Sequence, residues 1–123
     1  MKQEFRFMDR KQKKYLWDII EHLGDISSFL TGIQDLDSFK RNKLVQSAVE
    51  REFEIIGEAV KNLKIHYPDF VLSNAEEIIG LRNIIAHGYD IVDHDILWKI
   101  IQVDLPLLKS EVNNFLEKEG NGN

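Results

Sequence analysis

The stretch VQSAVEREFEIIGEAVKNL, residues 45–63, indicates an α-helical fold for this chain. Its apolar side chains recur every three or four positions, so they form one face of an α-helix. We predict a helix from about Phe39 to Lys64 that ends by Tyr67, because Pro68 cannot continue it. The apolar face consists of Val45, Ala48, Val49, Phe53, Ile56, Ala59, Val60 and Leu63.

The same spacing precedes this helix. It predicts a first helix from about Asp9 to Thr31, with Asp9 as the N-cap that accepts a free backbone amide and Gly32 as the stop. Its apolar stripe consists of Leu16, Ile19, Ile20, Leu23, Ile26, Phe29 and Leu30. Both helices are long enough to form the walls of a bundle.

The segment SNAE, residues 73–76, indicates the start of a third, shorter helix. Ser73 and Glu76 have the spacing of a capping box, in which the two side chains bond backbone amides at the start of a helix. An apolar run follows. Gly88 suits the left-handed conformation that closes a helix, so we expect this one to end near His87.

A fourth helix is predicted from about Asp93, as its cap, to Lys118. Pro106 should kink or split it, because proline lacks the amide donor. Helices with apolar stripes bury them against one another, so we predict an all-α fold, an antiparallel bundle of four to five helices. In this prediction residues 1–118 form a single domain and residues 119–123 a disordered tail.

The composition restricts the class of protein. With 123 residues, 43% hydrophobic and 30% charged, the chain suits one globular domain, and no apolar run approaches the roughly 20 residues that cross a bilayer. It has no cysteine and its first residues lack the apolar core of a secretory signal, so a cytoplasmic protein is the expectation. The net charge of -5 argues against a broad basic surface, so any contact with RNA must be local.

The segment RNIIAHGY, residues 82–89, carries the candidate chemistry. Arg82 and His87 suit a phosphodiester, because an imidazole transfers protons near neutral pH and a planar guanidinium grips phosphate oxygens. RNA supplies its own nucleophile, the 2′-hydroxyl, so such a site needs neither a metal nor an activated serine. On a continuous helix the two side chains diverge by about 140°, so they meet only if the helix ends here or if a second subunit brings the same motif.

A purely structural interpretation of this segment stays open. Arg82 is then a surface cation, His87 is a positive charge favoured by the dipole at the end of a helix, and Tyr89 fills the edge of the core. Spacing alone favours this interpretation, because short patterns have many false positives.

The pattern nevertheless resembles a known family. Arg82, Asn83, His87 and Tyr89, which follow the helix segment EREFEIIGEAV at residues 50–60, resemble the HepT-like branch of the HEPN superfamily over nearly the whole chain. The family's Arg-x4-His motif falls on Arg82 and His87. The resemblance implies a metal-independent endoribonuclease toxin that needs no cofactor and takes RNA as its substrate. It also implies a homodimer, with the paired motifs in a cleft at the interface.

The resemblance further implies a partner protein and a control residue. Members of the branch look like the toxins of type VII-like toxin–antitoxin pairs, in which a small nucleotidyltransferase antitoxin transfers AMP to the tyrosine two residues past the histidine. That tyrosine is Tyr89 in this chain. Each adenylyl group adds a negative phosphate and a bulky base, so modification of Tyr89 is expected to neutralise the nuclease.

Other polar residues are candidates for supporting roles. Three glutamates recur every four residues on the second helix: Glu50, Glu54 and Glu58. A solvated acidic stripe is the simpler interpretation. The alternative is that one of them, with Glu58 as the candidate, orients Arg82 or His87. Asn83 either holds the backbone of the motif or contacts substrate.

No metal site is predicted. Residues 90–95 place three aspartates around His94, but no helical pair of histidines fixes the ligands, and Asp93 is better explained as a helix cap. His22 and His66 have no ligand-like neighbours. The chain also lacks a phosphate-binding loop and a Walker lysine, so we do not expect it to bind ATP as an enzyme.

Two other classes of function stay open. A catalytically silent module could present a nucleotide or a polypeptide to the nucleotidyltransferase, and the acidic composition favours this alternative. A purely structural dimeric bundle would use Arg82 and His87 for stability alone. The first alternative predicts that the unmodified protein leaves RNA intact, and the second that Arg82→Ala and His87→Ala change stability and nothing else.

Overall fold

In the computed structural model, residues 8–88 and 92–121 are described, and every regular element within these two ranges is a helix. The elements are α1 (Arg10–Phe29), α2 (Leu36–Lys40), α3 (Lys43–His66), α4 (Ala75–His87), α5 (His94–Lys99), a π-helical turn (Ile100–Asp104) and α6 (Leu105–Asn121). The prediction of an all-α fold is confirmed. Within the same ranges, no helix has the length and apolar character needed to cross a bilayer.

The core lies between α1 and α3. α3 also packs against α4, and α1 against α6. The predicted stripes supply most of the buried side chains at the α1–α3 contact, among them Leu16, Ile19, Leu23, Ile26, Val49, Phe53, Ile56, Val60 and Leu63. Each fully buried side chain of this size contributes about 1.5–3 kcal/mol, so this contact holds the bundle together.

Asp9 caps α1, as predicted. Its carboxylate accepts the Gln12 backbone amide at 2.7 Å and the Tyr67 hydroxyl at 2.8 Å. The second bond ties the start of α1 to the end of α3. These two hydrogen bonds hold the pKa of Asp9 below its ordinary value of 3.8.

The lowered pKa of Asp9 predicts a pH dependence of stability. A carboxyl group with a lower pKa in the folded state adds stability above its unfolded pKa, and that stability is lost as the pH falls through the folded value. The wild type should therefore lose this contribution below about pH 4. Asp9→Asn keeps a capping oxygen but cannot titrate, so its melting temperature should fall less on acidification. Thermal unfolding near pH 7 and near pH 3 measures the difference, and an equal fall in both proteins would contradict it.

The helix predicted from Phe39 to Lys64 is in fact two helices. Asn42 has an extended backbone with φ −117° and ψ 90°, and its side chain accepts the Val45 amide at 3.0 Å, so it caps α3. The side-chain amide of Gln46 donates to the carbonyl of Phe39 at 2.7 Å and satisfies the end of α2. The break was missed because these polar caps lie inside a continuous apolar pattern.

The capping box predicted for α4 is wrong. The backbone amide and the hydroxyl of Ser73 both donate to the carboxylate of Glu111 on α6. Glu76 forms an ion pair with a lysine of α3 instead of reaching back to the helix start. Asn74 occupies the cap position without a capping bond, and its side-chain amide donates to Asp104 at 2.5 Å. Partners on other helices thus replace the local box.

The break predicted at Pro106 takes the form of the π-helical turn. Because Pro106 has no amide hydrogen, the turn before it widens, and the Leu105 amide donates to the Ile100 carbonyl five residues back. α6 then continues past the predicted end at Lys118, so residues 119–121 are helical and do not form the predicted tail. Residues 122 and 123 lie outside the described residues.

Candidate functional site

Arg82 lies in the second half of α4, with its guanidinium against α3. Its Nη2 is 2.9 Å from Oε1 of Glu58, and its Nη1 donates to Oδ1 of Asn83 at 3.1 Å. The Arg82 side chain is only 17% exposed, whereas that of Glu58 is 48% exposed. The structure therefore brings both predicted supporting residues to the predicted phosphate-binding group, and their roles stay predictions.

Gly57 makes room for Arg82. It is buried in α3 where α4 packs against that helix. A Cβ atom on Gly57 would lie 2.4 Å from Cβ and 2.5 Å from Cγ of Arg82, well inside van der Waals contact. The stem of Arg82 therefore runs across the backbone of α3 at this glycine. Gly57 was not singled out from the sequence, although a glycine inside a helix costs about 1 kcal/mol in propensity and was the available signal.

The remaining nitrogen of the Arg82 guanidinium is in an unfavourable environment. Nε is buried and has no hydrogen-bond acceptor among the residues that the structure describes. A buried donor without a partner costs about 1–3 kcal/mol. Burial of this nitrogen therefore offsets part of the stabilisation that Glu58 and Asn83 give to Arg82.

A groove of about 410 Å³ opens beside Arg82. Its lining includes Tyr15 and Asp18 from α1, and Arg51, Glu54 and Glu58 from α3. Two arginines and three carboxylates thus share the groove. Among the described residues that line the groove, positive charge is confined to these two arginines.

His87 is the last residue of α4 and is exposed. Gly88 follows with φ 65° and ψ 18°, and its amide donates to the Ile84 carbonyl at 3.2 Å, so the predicted left-handed helix end is confirmed. His87 itself keeps the helical register. Its Cα–Cβ direction therefore diverges from that of Arg82 by the full angle of about 140° that five helical residues impose. Tyr89, the predicted modification site, lies outside the described residues.

Two of the three glutamates form ion pairs with side chains of other helices, although Glu58 also stays exposed to solvent, as the stripe interpretation expects. Oε2 of Glu50 is 2.9 Å from Nε2 of His94 on α5, and Glu58 holds Arg82 on α4. Glu54 lines the groove beside Arg82. Each glutamate thus lies at a helix–helix contact or beside the groove. The reason is that α4 and α5 pack beside the face of α3 that carries the glutamates, which the sequence alone does not reveal.

The aspartates near His94 have protein partners. Asp93 caps α5 by accepting the amides of Asp95 and Ile96, as predicted. The Asp95 carboxylate pairs with Lys40 at 3.0 Å, which joins α5 to α2. Asp90 lies outside the described residues.

The expectation that His22 has no ligand-like neighbours is wrong. Its Nδ1 is 2.5 Å from Oε1 of Glu52 and 3.5 Å from Oδ2 of Asp25. Asp25 lies one turn further along α1, whereas Glu52 belongs to α3. The sequence offered the His22–Asp25 spacing as a signal, but the third member comes from the packing of two helices.

Comparisons with known proteins identify the family. The family described as "Ribonuclease HepT-like" matches residues 19–115. A protein of Methanocaldococcus jannaschii named "Putative RNase MJ1380" is 39% identical over 104 residues, which are 84% of this chain and 94% of that protein. A protein of Thermococcus cleftensis named "Probable ribonuclease HepT" is 38% identical over 108 residues, 85% of this chain and 94% of that protein. The comparison with solved structures gave no significant match.

The family match includes the whole of α3 and α4, and with them the helices that hold Glu58, Arg82 and His87. The two relatives are matched over nearly their full length. The chain therefore belongs to the HepT-like family of ribonucleases.

Proposed function

We propose that this chain is a metal-independent endoribonuclease that cleaves RNA with Arg82 and His87. His87 takes the proton from a 2′-hydroxyl, whose oxygen then attacks the adjacent phosphorus. Arg82 stabilises the additional negative charge on the phosphate oxygens. A protonated His87 donates its proton to the departing 5′-oxygen, so one product ends in a 2′,3′-cyclic phosphate and the other in a 5′-hydroxyl. These steps require only proton transfer and charge stabilisation.

The observation that carries this proposal is the way Arg82 is held. Its stem lies against Gly57, Glu58 and Asn83 fix its terminal nitrogens, and its Nε is buried without an acceptor among the described residues. A cation that served stability alone would turn toward solvent, because a charged group is best satisfied there. A guanidinium fixed at the wall of a groove is instead ready to receive an anionic group, with little ordering left to do on binding.

A homodimer is part of the proposal. Arg82 and His87 point away from α4 in different directions, so one chain alone brings them together poorly. Ile84, which lies between them on α4, is 44% exposed and offers an apolar contact for a second chain. A twofold contact at this end of α4 would place two copies of each group around one cleft.

We further propose that the nuclease is the toxin of a toxin–antitoxin pair. Tyr89 follows His87 by two residues and is the expected acceptor of AMP from a nucleotidyltransferase partner. An adenylyl group there would add negative charge close to the cleft that must receive RNA phosphate, so repulsion and steric blockage would act together.

The test of the toxin proposal is expression of the chain alone and together with its genomic neighbour. Alone, the wild type should arrest growth and His87→Ala should not. With an active nucleotidyltransferase, growth should recover and the intact mass should rise by whole AMP units. Tyr89→Phe should block the mass increase and keep the arrest. Normal growth with unmodified wild-type protein present would contradict the toxin role.

The second candidate function is a non-catalytic module that presents a nucleotide or a polypeptide to the nucleotidyltransferase. The observation that favours it is the acidic groove, where Asp18, Glu54 and Glu58 accompany the two arginines. This candidate predicts that purified, unmodified protein leaves RNA intact at every concentration. It also predicts that the chain binds its partner equally well with and without His87.

Glu58→Gln tests whether Glu58 positions Arg82. Loss of the charged partner at 2.9 Å should let the guanidinium move, which is expected to lower kcat about 10- to 100-fold with little change in KM. The matched control is Glu76→Gln, which removes an exposed ion pair between α4 and α3 away from the groove. This control should cleave at the wild-type rate. An unchanged kcat in Glu58→Gln would show that Arg82 needs no such partner.

A further inference from the structure

A second polar cluster lies between α1 and α3. It consists of His22 and Asp25, one turn apart on α1, and Glu52 on α3. Their candidate ligand atoms all lie within 4.8 Å of one another. The side chains of His22 and Glu52 are 20% and 13% exposed, and that of Asp25 is 46% exposed, so the cluster is half-buried with one open side. None of the three lines the groove beside Arg82.

A single hydrogen bond cannot pair the imidazole nitrogen of this cluster with both of its carboxylates. Nδ1 of His22 faces carboxylate oxygens of two residues, Glu52 at 2.5 Å and Asp25 at 3.5 Å. The nitrogen carries at most one proton, which it can donate fully to only one of them. One imidazole nitrogen and two carboxylates therefore surround a single proton position, and the two carboxylates repel each other.

We propose that His22, Asp25 and Glu52 bind a divalent transition-metal ion, with zinc as the ion that fits best. One imidazole nitrogen and two carboxylate oxygens match the N and O donors that zinc takes, and water would complete a tetrahedral site from the open side. Zinc lies about 2.0–2.2 Å from such ligands, which places them roughly 3.3–3.5 Å apart. The Asp25 contact already has this spacing. Glu52 is closer to the imidazole nitrogen than this, so its side chain would have to rotate away from His22 to make room for the ion.

The proposed ion would act as a clamp between two helices. His22 and Asp25 come from α1 and Glu52 from α3, and these helices form the central contact of the bundle. Because metal binds the folded site and not the separated helices, it should raise the melting temperature in proportion to its occupancy. It would not take part in RNA cleavage, since its ligands lie outside the groove that holds Arg82.

The test is zinc binding to the full-length protein after EDTA has been removed by buffer exchange. Titration against a chromophoric chelator should show one high-affinity zinc ion per chain. At a free zinc concentration about 100 times Kd, the melting temperature should rise by roughly 5–10 °C. Glu52→Gln and Asp25→Asn should each weaken zinc binding at least about 10- to 100-fold, because they replace a ligand. Circular dichroism without zinc verifies that both variants are folded.

His94→Gln is the matched control. It breaks the other histidine–glutamate pair between helices, the His94–Glu50 contact at 2.9 Å, which has no third ligand among the described residues. This variant should bind zinc as the wild type does. Absence of stoichiometric binding in the wild type, or equal binding in Glu52→Gln, would overturn the proposal.

Measurements in EDTA distinguish failure of the zinc-site proposal from failure of the nuclease proposal. With EDTA present, the melting temperature should return to its zinc-free value while RNA cleavage continues. Loss of cleavage in EDTA would contradict the metal-independent nuclease, whereas an unchanged melting temperature with and without zinc would contradict only the clamp.

Discussion

Replacement of His87 by alanine is expected to lower the rate of RNA cleavage by about 10²- to 10⁴-fold, the range that loss of a general acid or base produces. His87 is exposed at the last position of α4, so its removal leaves the core beneath it unchanged. The free energy of unfolding should therefore stay within about 0.5 kcal/mol of the wild-type value. Single-turnover cleavage and urea unfolding of the same preparation measure the two quantities.

His66→Ala is the matched control for this experiment. His66 is also an exposed histidine at the last position of a helix, α3, but it belongs to no part of the proposed site. Its removal should leave the cleavage rate unchanged. Equal losses in both variants would indicate a general effect on folding or solubility, and an unchanged rate in His87→Ala would place the proton transfer elsewhere.

Gly57→Ala is expected to disable the site by displacing Arg82. The new Cβ would lie 2.4 Å from Cβ of Arg82, so α4 or the arginine has to move. Overpacking of this kind costs about 1–3 kcal/mol of stability. A displacement of about 1 Å at the guanidinium should lower cleavage by roughly 100-fold. The loss of stability and the loss of activity both result from the clash with Arg82. Urea unfolding measures the first and single-turnover kinetics the second.

Gly24→Ala serves as the control for the substitution itself. Gly24 lies exposed in the middle of α1, and a Cβ there meets no atom within 4 Å. Alanine should stabilise the helix by up to about 1 kcal/mol and leave cleavage unchanged. Full activity in a folded Gly57→Ala protein would mean that the site tolerates a shifted Arg82. Cleavage would then not depend on the position in which Gly57 lets Arg82 lie.

Local chemistry made much of the fold predictable from sequence. Asp9, Asp93 and Gly88 end or begin helices through bonds that span only a few residues, and all three were assigned correctly. The apolar stripes of α1 and α3 likewise needed only their spacing. Helix caps and apolar stripes depend on residues close together in the chain, so they can be predicted from a single sequence.

Features created by helix packing were missed. Ser73 had a suitable local partner in Glu76 but bonds Glu111, 38 residues away. The contact between Gly57 and Arg82 likewise exists only once α4 lies across α3. Arg82 and its candidate supports Glu58 and Asn83 were therefore proposed from sequence, whereas the role of Gly57 required the structure.

Cleavage of a short RNA in EDTA by purified, unmodified protein, with identification of the product ends, tests directly whether Arg82 and His87 form a metal-independent nuclease site. Such a site should leave a 2′,3′-cyclic phosphate on one fragment and a 5′-hydroxyl on the other, and it should not cleave when the nucleotide at the scissile bond is a 2′-deoxynucleotide. Arg82→Ala and His87→Ala should both abolish these products. Intact RNA with the wild-type protein, or cleavage only after a divalent metal is added, would contradict a metal-independent nuclease site.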